Sequence, residues 1–157
     1  MKHSFDPIYD TNSKVLILGT FPSVKSREQN FYYGHPQNRF WKVIAALTHT
    51  PLPISIEEKK AMLLHHGIAL WDVIESCDIT GSSDSSIKNV VPMDFSNILH
   101  HTPITHIYAN GATAFKLFQK YCETATGINI IKLPSTSPAN AAFSFEKLLH
   151  EWSILKI

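Results

Sequence analysis

The run Tyr32-Tyr33-Gly34-His35-Pro36-Gln37-Asn38-Arg39-Phe40-Trp41 gathers residue types that do chemistry on a planar, charged ligand. Its aromatic rings can stack on a base, Arg39 can hold a phosphate, and the Asn38 amide can both donate and accept a hydrogen bond. Upstream, Gly19-Thr20-Phe21-Pro22-Ser23 is a turn whose backbone amides can face a ligand. Downstream, Leu133-Pro134-Ser135-Thr136-Ser137-Pro138-Ala139-Asn140 sets hydroxyls in a rigid, proline-bounded loop, suited to gripping phosphates through Ser135, Thr136 and Ser137. The combined set fits a nucleobase flipped out of a strand.

The elements that must position these residues follow from hydrophobic patterning. Four β-like runs, Val15 to Leu18, Ile68 to Val73, His106 to Ala109 and Ile128 to Lys132, alternate with helical stretches. The helices are expected over Asn38 to Thr48, Ile54 to His66, Phe95 to His100, Ala112 to Thr124, and Ala141 to Trp152. This alternation predicts a three-layer α/β/α sandwich with a central, mostly parallel four-stranded sheet, in a single domain over residues 1–157. Ligands of such sheets bind in the crevice at the carboxyl ends of the strands. The loops Gly19 to Ser23, Ser76 to Ser86, Asn110-Gly111 and Pro134 to Asn140 all fall there.

Further candidates lie on those loops. In the biased segment Gly81-Ser82-Ser83-Asp84-Ser85-Ser86, Asp84 is the better carboxylate for the pocket, or else the segment is a plain surface loop. Asp72, after the second strand, either orients a site group or bonds locally. Asn110-Gly111 opens a helix whose positive end favours a phosphate. Asn140 either belongs to the phosphate-gripping loop or caps the helix starting at Ala141, and Asn38 either serves the site or caps the helix after it. His35, beside Asn38, is either a ligand contact or an ordinary loop histidine. Tyr32 and Tyr33 either stack on the base or pack the loop.

A net charge of +1 gives no global basic signature, so nucleic-acid contact must come from a local patch. Cys77 and Cys122 lie far apart without metal-ligand spacing, and adjacent pairs such as His65-His66 and His100-His101 point in different directions on a helix. No metal and no cofactor are expected. No apolar run approaches the roughly 20 residues that span a bilayer, and the start lacks a signal-peptide core, which predicts a cytoplasmic protein without membrane contact.

The first and last loops resemble motifs one and two of the uracil-DNA glycosylase superfamily, and Gly-Thr-Phe-Pro-Ser with Gly-His-Pro-Gln-Asn-Arg-Phe-Trp most resembles its hypoxanthine (deoxyinosine) DNA glycosylase branch. The resemblance covers nearly the whole chain. It implies a monofunctional enzyme that flips a deaminated base out of DNA and hydrolyses its N-glycosidic bond, with hypoxanthine, uracil or xanthine as the base. Many relatives carry Asp or Asn beside the Pro of motif one, whereas here Thr20 and Phe21 stand there. The branch is understood to use an Asn further along, which matches Asn38 as the residue that holds and polarises water. The base pocket would then comprise Gly19, Thr20, Phe21, Pro22, Ser23, Tyr32, Tyr33 and Asp84. The DNA backbone would meet Arg39, Ser135, Thr136, Ser137, Asn110 and Gly111. No lysine stands in either motif loop, so a Schiff-base lyase step has no support. A hydrolase of free nucleosides and a catalytically silent nucleic-acid-binding module of the same fold are the competing readings.

Overall fold

A computed structural model describes residues 1–157. Strand β1 (Val15–Gly19) is buried on both faces, Val15 and Ile17 facing one side and Leu16 and Leu18 the other. It is therefore central, and parallel strands β2 (Ile68–Asp72) and β5 (His106–Asn110) flank it. Strand β6 (Ile130–Leu133) completes the parallel order β2-β1-β5-β6. The chain leaves β1 for one neighbour first and reaches the other later, so the order reverses at β1. Gly19 thus marks the switch point, where a crevice opens between diverging loops.

Helices α2 (Phe40–Leu47), α3 (Ile56–His65) and α7 (Phe145–Trp152) cover one face, burying Phe40, Ile44, Leu63, Leu148 and Trp152 against Ile17 and Leu70. On the other face α4 (Ser96–His100) and α5 (Ala112–Tyr121) bury Ile98, Ala114 and Phe118 against Leu16 and Leu18. The expected three-layer sandwich is what forms. No helix is long and apolar enough to cross a membrane.

Several expectations shift for local reasons. The helix expected from Ala141 begins at Phe145, because Ser144 Oγ accepts from Lys147 N–H at 3.2 Å and fixes the start. Ile54 to His66 shortens to α3 by a capping box in which Ser55 Oγ accepts from Glu58 N–H. The helix ending near Thr124 breaks at Cys122 into α5 and a single turn, α6 (Glu123–Thr126). The loop expected over Ser76 to Ser86 is in part strand: β3 (Ile74–Asp78) pairs antiparallel with β4 (Lys88–Pro92), and only the connection between them is irregular. A short helix α1 (Val24–Gln29), capped by Ser23, follows the first motif. The amino-terminal residues also pair with the sheet region: Ile8 bridges Leu70 and Lys2 bridges Ser76, which covers the free edge of β2.

Cys77 and Cys122 are both buried free thiols. Burial pushes both up, Cys122 to about 11 from 9.0. Because the unfolded chain forms the thiolate first, stability should fall as pH rises from about 9 towards 11 and be unaffected by Cys122 below that window. At pH 8 a thiol reagent should label the native protein slowly and the denatured protein at both sites. A rapidly labelled native thiol would contradict the burial.

Candidate active site

The loops leaving β1, β3, β5 and β6 enclose a cleft of about 530 Å³. Gly19, Thr20, Phe21, Pro22, Ser23, Tyr32, Tyr33, His35, Asn38, Asp84, Asn110, Ser135, Thr136 and Ser137 all line it, so residues up to 118 positions apart in the chain (137 − 19) share one wall. Gly111 lies just behind, its φ of 100° suited to glycine and its missing Cβ allowing Ser135 Cβ close against it.

A buried chain of hydrogen bonds ties the loops together. Asn110 Nδ2 donates to Thr136 Oγ1 at 2.9 Å, and Thr136 Oγ1 donates to Asn38 Oδ1 at 2.8 Å. Thr136 N–H returns to Asn110 Oδ1 at 3.0 Å, and Phe40 N–H donates to Asn38 Oδ1 at 2.9 Å. Both lone-pair directions of Asn38 Oδ1 are therefore filled, and the amide presents Nδ2 to the cleft. Asn38 accepts from Phe40 N–H at the start of α2, whose N-cap residue is Arg39, and it also lines the cleft. Its free group is a donor, so it can hold a water but cannot draw that water's proton.

Four of the residues expected on the DNA backbone have other work. Thr136 is 0% exposed and Asn110 8%, and each satisfies the other, so neither is available to a phosphate. Gly111 N–H donates to Leu133 O at 2.9 Å, inside the sheet. Arg39 directs Nη2 to the carbonyls of Ser137 (3.0 Å) and Asn140 (3.1 Å) and Nη1 to the carbonyl of Phe143. A guanidinium can satisfy several oxygens in one plane, and here those oxygens belong to the loop itself. Asn140 does not cap a helix; its Nδ2 donates to Ser135 O at 3.0 Å. Ser135 and Ser137 are different: each Oγ accepts a loop N–H, from Ser137 and Ala139 respectively, which leaves each O–H free to donate outward.

The aromatic choices also separate. Tyr32 is buried, with its hydroxyl on Asp6 O at 2.7 Å, and Phe31 stacks on Trp41. Tyr33 lays its ring on Phe40 at 4.2 Å, in a left-handed backbone conformation (φ 52°) that costs a non-glycine residue about 1–2 kcal/mol. Burial, then the Asp72 charge, push its phenol well above the ordinary range, and its hydroxyl has no hydrogen-bond partner in the chain. Tyr33 lines the cleft while its faces serve packing. Phe21 remains half-buried at the mouth, with the Arg27 guanidinium 5.9 Å from its centroid, and is the ring best placed to stack on a ligand.

Asp84 is exposed as a residue, but its carboxyl is partly desolvated and pushed up, with a Thr113 hydrogen bond opposing the shift. The residue that sequence reasoning left in second place is Asp72. It lines the cleft, 4% exposed, and its Oδ2 lies 2.7 Å from His3 Nε2. Its position as the last residue of β2, at the carboxyl edge, was the available signal. His3 carried none, because its place depends on the antiparallel pairing of residues 1–3 with β3.

Arg39→Ala should lower stability by about 2–3 kcal/mol, since charged donors to three carbonyls are lost, and leave the salt dependence of any DNA binding unchanged. Denaturant melts and a salt titration check this. Parental stability with a slope shallower by about one unit would return Arg39 to the phosphate role.

Comparison with known proteins gives the family and the fold. A model of the uracil DNA glycosylase superfamily matches residues 7–156. A hypoxanthine DNA glycosylase of Methanosarcina acetivorans is 34% identical over 146 residues, covering 92% of this chain and 91% of the relative. A protein of the same description from Methanosarcina barkeri is 33% identical over 103 residues, 65% of each chain. The solution NMR structure of a candidate uracil DNA glycosylase from M. acetivorans superposes with a TM-score of 0.82 at 32% identity, covering 96% of this chain and 93% of that one.

Proposed function

This chain belongs to the uracil DNA glycosylase superfamily, and from that premise we propose that it is a monofunctional glycosylase that hydrolyses the N-glycosidic bond of hypoxanthine in DNA. The observation that carries the reading is the convergence of Asn38, the Gly19–Ser23 turn and the Ser135–Ser137 loop on one cleft. DNA as substrate distinguishes it from a hydrolase of free nucleosides, and the outward hydroxyls of Ser135 and Ser137 supply contacts that a free nucleoside would not use. Work on DNA accords with the cytoplasmic location expected from the sequence.

The bond from C1′ to the base nitrogen breaks with its electron pair leaving on the base, so the sugar develops oxocarbenium character. Donors at the base lower that barrier most. The N–H groups of Phe21 and Ser23 take no backbone carbonyl in the chain and are free for a base carbonyl, and Phe21 supplies a stacking face. Water then bonds to C1′, and its proton is released as the base anion takes one up. Asn38 Nδ2 holds that water by donating to it, which is sufficient for attack on a cationic carbon and makes its contribution one of position. Ser135 and Ser137 hold the phosphates beside the flipped nucleotide, a contact indifferent to sequence.

A base-release assay on duplexes bearing hypoxanthine, uracil, xanthine or adenine tests the reading, with hypoxanthine expected to be released at least as fast as uracil and adenine retained. Uracil-only release would overturn the assignment. Binding with no release from any duplex would mark a silent module.

Asn38→Ala should cut single-turnover release at least 100-fold with duplex affinity kept, and should also lose about 1 kcal/mol of stability because Phe40 N–H loses its acceptor. Ser135→Ala should weaken binding to every duplex alike with little change in salt slope. Normal binding and turnover in Ser135→Ala would make that loop structural only.

A further inference from the structure

A second hollow of about 620 Å³ adjoins the Ser135–Asn140 loop, a volume within the range of small-molecule sites, roughly 300–1,000 Å³. It lies at β6, the edge strand of the sheet, and is walled by Asp84 and Ala112 on the α5 side, by Lys132 on the strand, and by Phe143 and Glu151 on the α7 side. Ser135, Ser137 and Ala139 line both this hollow and the first cleft. The loop is therefore a partition with a recess on either side, and the flipped nucleotide occupies only one of them.

The first cleft is closed at its floor, where a Cβ on Gly19 would overlap Asp72 Oδ1, so a strand that enters it has to leave over the rim. A phosphate joined to the flipped nucleoside is joined through its other ester to the next one. Held by the Ser135 and Ser137 hydroxyls on the partition, that phosphate sets the next nucleoside against the second hollow. The lining then decides which end of it enters. Asp84 and Glu151 are carboxylates, and neither they nor Lys132 belong to the chain's two ion pairs, His3–Asp72 and Lys25–Glu28. Two negative groups against one positive repel a phosphate, whereas the carboxylates accept the N–H groups of a base and the ammonium donates to its oxygens and ring nitrogens. Phe143 adds a ring that is half-buried against the core, with its carbonyl held by Arg39, and so makes a fixed surface on which a base can stack.

We infer that the second hollow takes the base of the nucleotide next to the flipped one in the same strand, unstacked and laid on Phe143. This rests on the glycosylase reading above and adds that the protein opens two adjacent nucleotides, not one. Only the neighbour joined through the phosphate on the Ser135–Ser137 loop can reach the hollow, so the effect has to be one-sided. In a duplex that neighbour must give up its pair and its stack, a cost that a single strand or a mispaired neighbour is spared. The substrates favoured are therefore those in which the neighbour is already free.

The test is read in binding, with oligonucleotides carrying inosine on a 2′-fluorinated sugar that resists hydrolysis. In a single strand, replacing the base on one side of the inosine by an abasic tetrahydrofuran residue should weaken binding about 5- to 100-fold, the range of a base–aromatic stack, and the same replacement on the other side should change it less than about twofold. In a duplex, a mismatch at the responsive neighbour should tighten binding more than a mismatch on the other side. Phe143→Leu, which keeps an apolar side chain and loses the ring face, should bring the two abasic strands within about twofold of each other. If Phe143→Leu fails to fold, Ala112→Leu decides by the same ratio, since that exposed position narrows the second hollow and does not line the first cleft. Equal losses on both sides, no loss on either, or a one-sided loss that persists undiminished in the deciding variant overturns the proposal. One-sided binding without release from any natural duplex would sink the enzymatic reading and leave this one standing, and release of hypoxanthine with no such asymmetry would do the reverse.

Discussion

One fully buried hydroxyl holds the cleft together. Thr136 Oγ1 accepts from Asn110 and donates to Asn38, so the end of β5, the loop after β6 and the entry to α2 are fixed by a single atom. Inside a protein such a chain of bonds is strong when complete and costly when broken, because each member would be left unpaired away from water. Arg39 reinforces the same loop from outside, donating to carbonyls of residues 137, 140 and 143, and Trp152 Nε1 donates to Pro134 O at 2.9 Å. Ser135 and Ser137, each accepting a loop N–H, therefore stand on a loop pinned at both ends, which gives loop residues the precision of a sheet.

The layered fold and the location of the cleft were legible because they depend on short-range signals. The Val15-Leu16-Ile17-Leu18 run marks a doubly buried strand, and a Gly/Pro turn directly after it marks a strand end. The superfamily expected from the two motif loops is the one the chain belongs to. Helix starts were displaced where serine hydroxyls, not the apolar pattern, decide them, as Ser144 does for α7. The β3–β4 hairpin was hidden because Ser76 and Ser82 to Ser86 read as a polar loop, and half-exposed antiparallel strands carry polar residues such as Ser76.

Residue roles were harder to read than positions. Arg39, Asn110 and Thr136 have the types of a phosphate grip, and they do lie at the cleft, but each is consumed by partners about 26 to 104 residues away in sequence. Local sequence shows what a side chain can bond, never what has already bonded it. Asn38 shows the same point in finer form: the residue was identifiable, yet which end of its amide faces the cleft is set by Phe40 N–H and Thr136 Oγ1. His3 lay outside any motif because an extended segment of seven ordinary residues becomes meaningful only when it meets β3.

The overlap that a Cβ at position 19 would make with the Asp72 carboxylate links two residues 53 positions apart (72 − 19) across one rung of the sheet. Substitutions at these sites are consequently not independent in descent. A lineage that first replaces Gly19 loses the place for an acid at 72, and one that first shortens residue 72 frees position 19 to drift. Once both positions have been exchanged, return to the present pair requires two coordinated changes, because restoring either residue alone leaves the other without its complement.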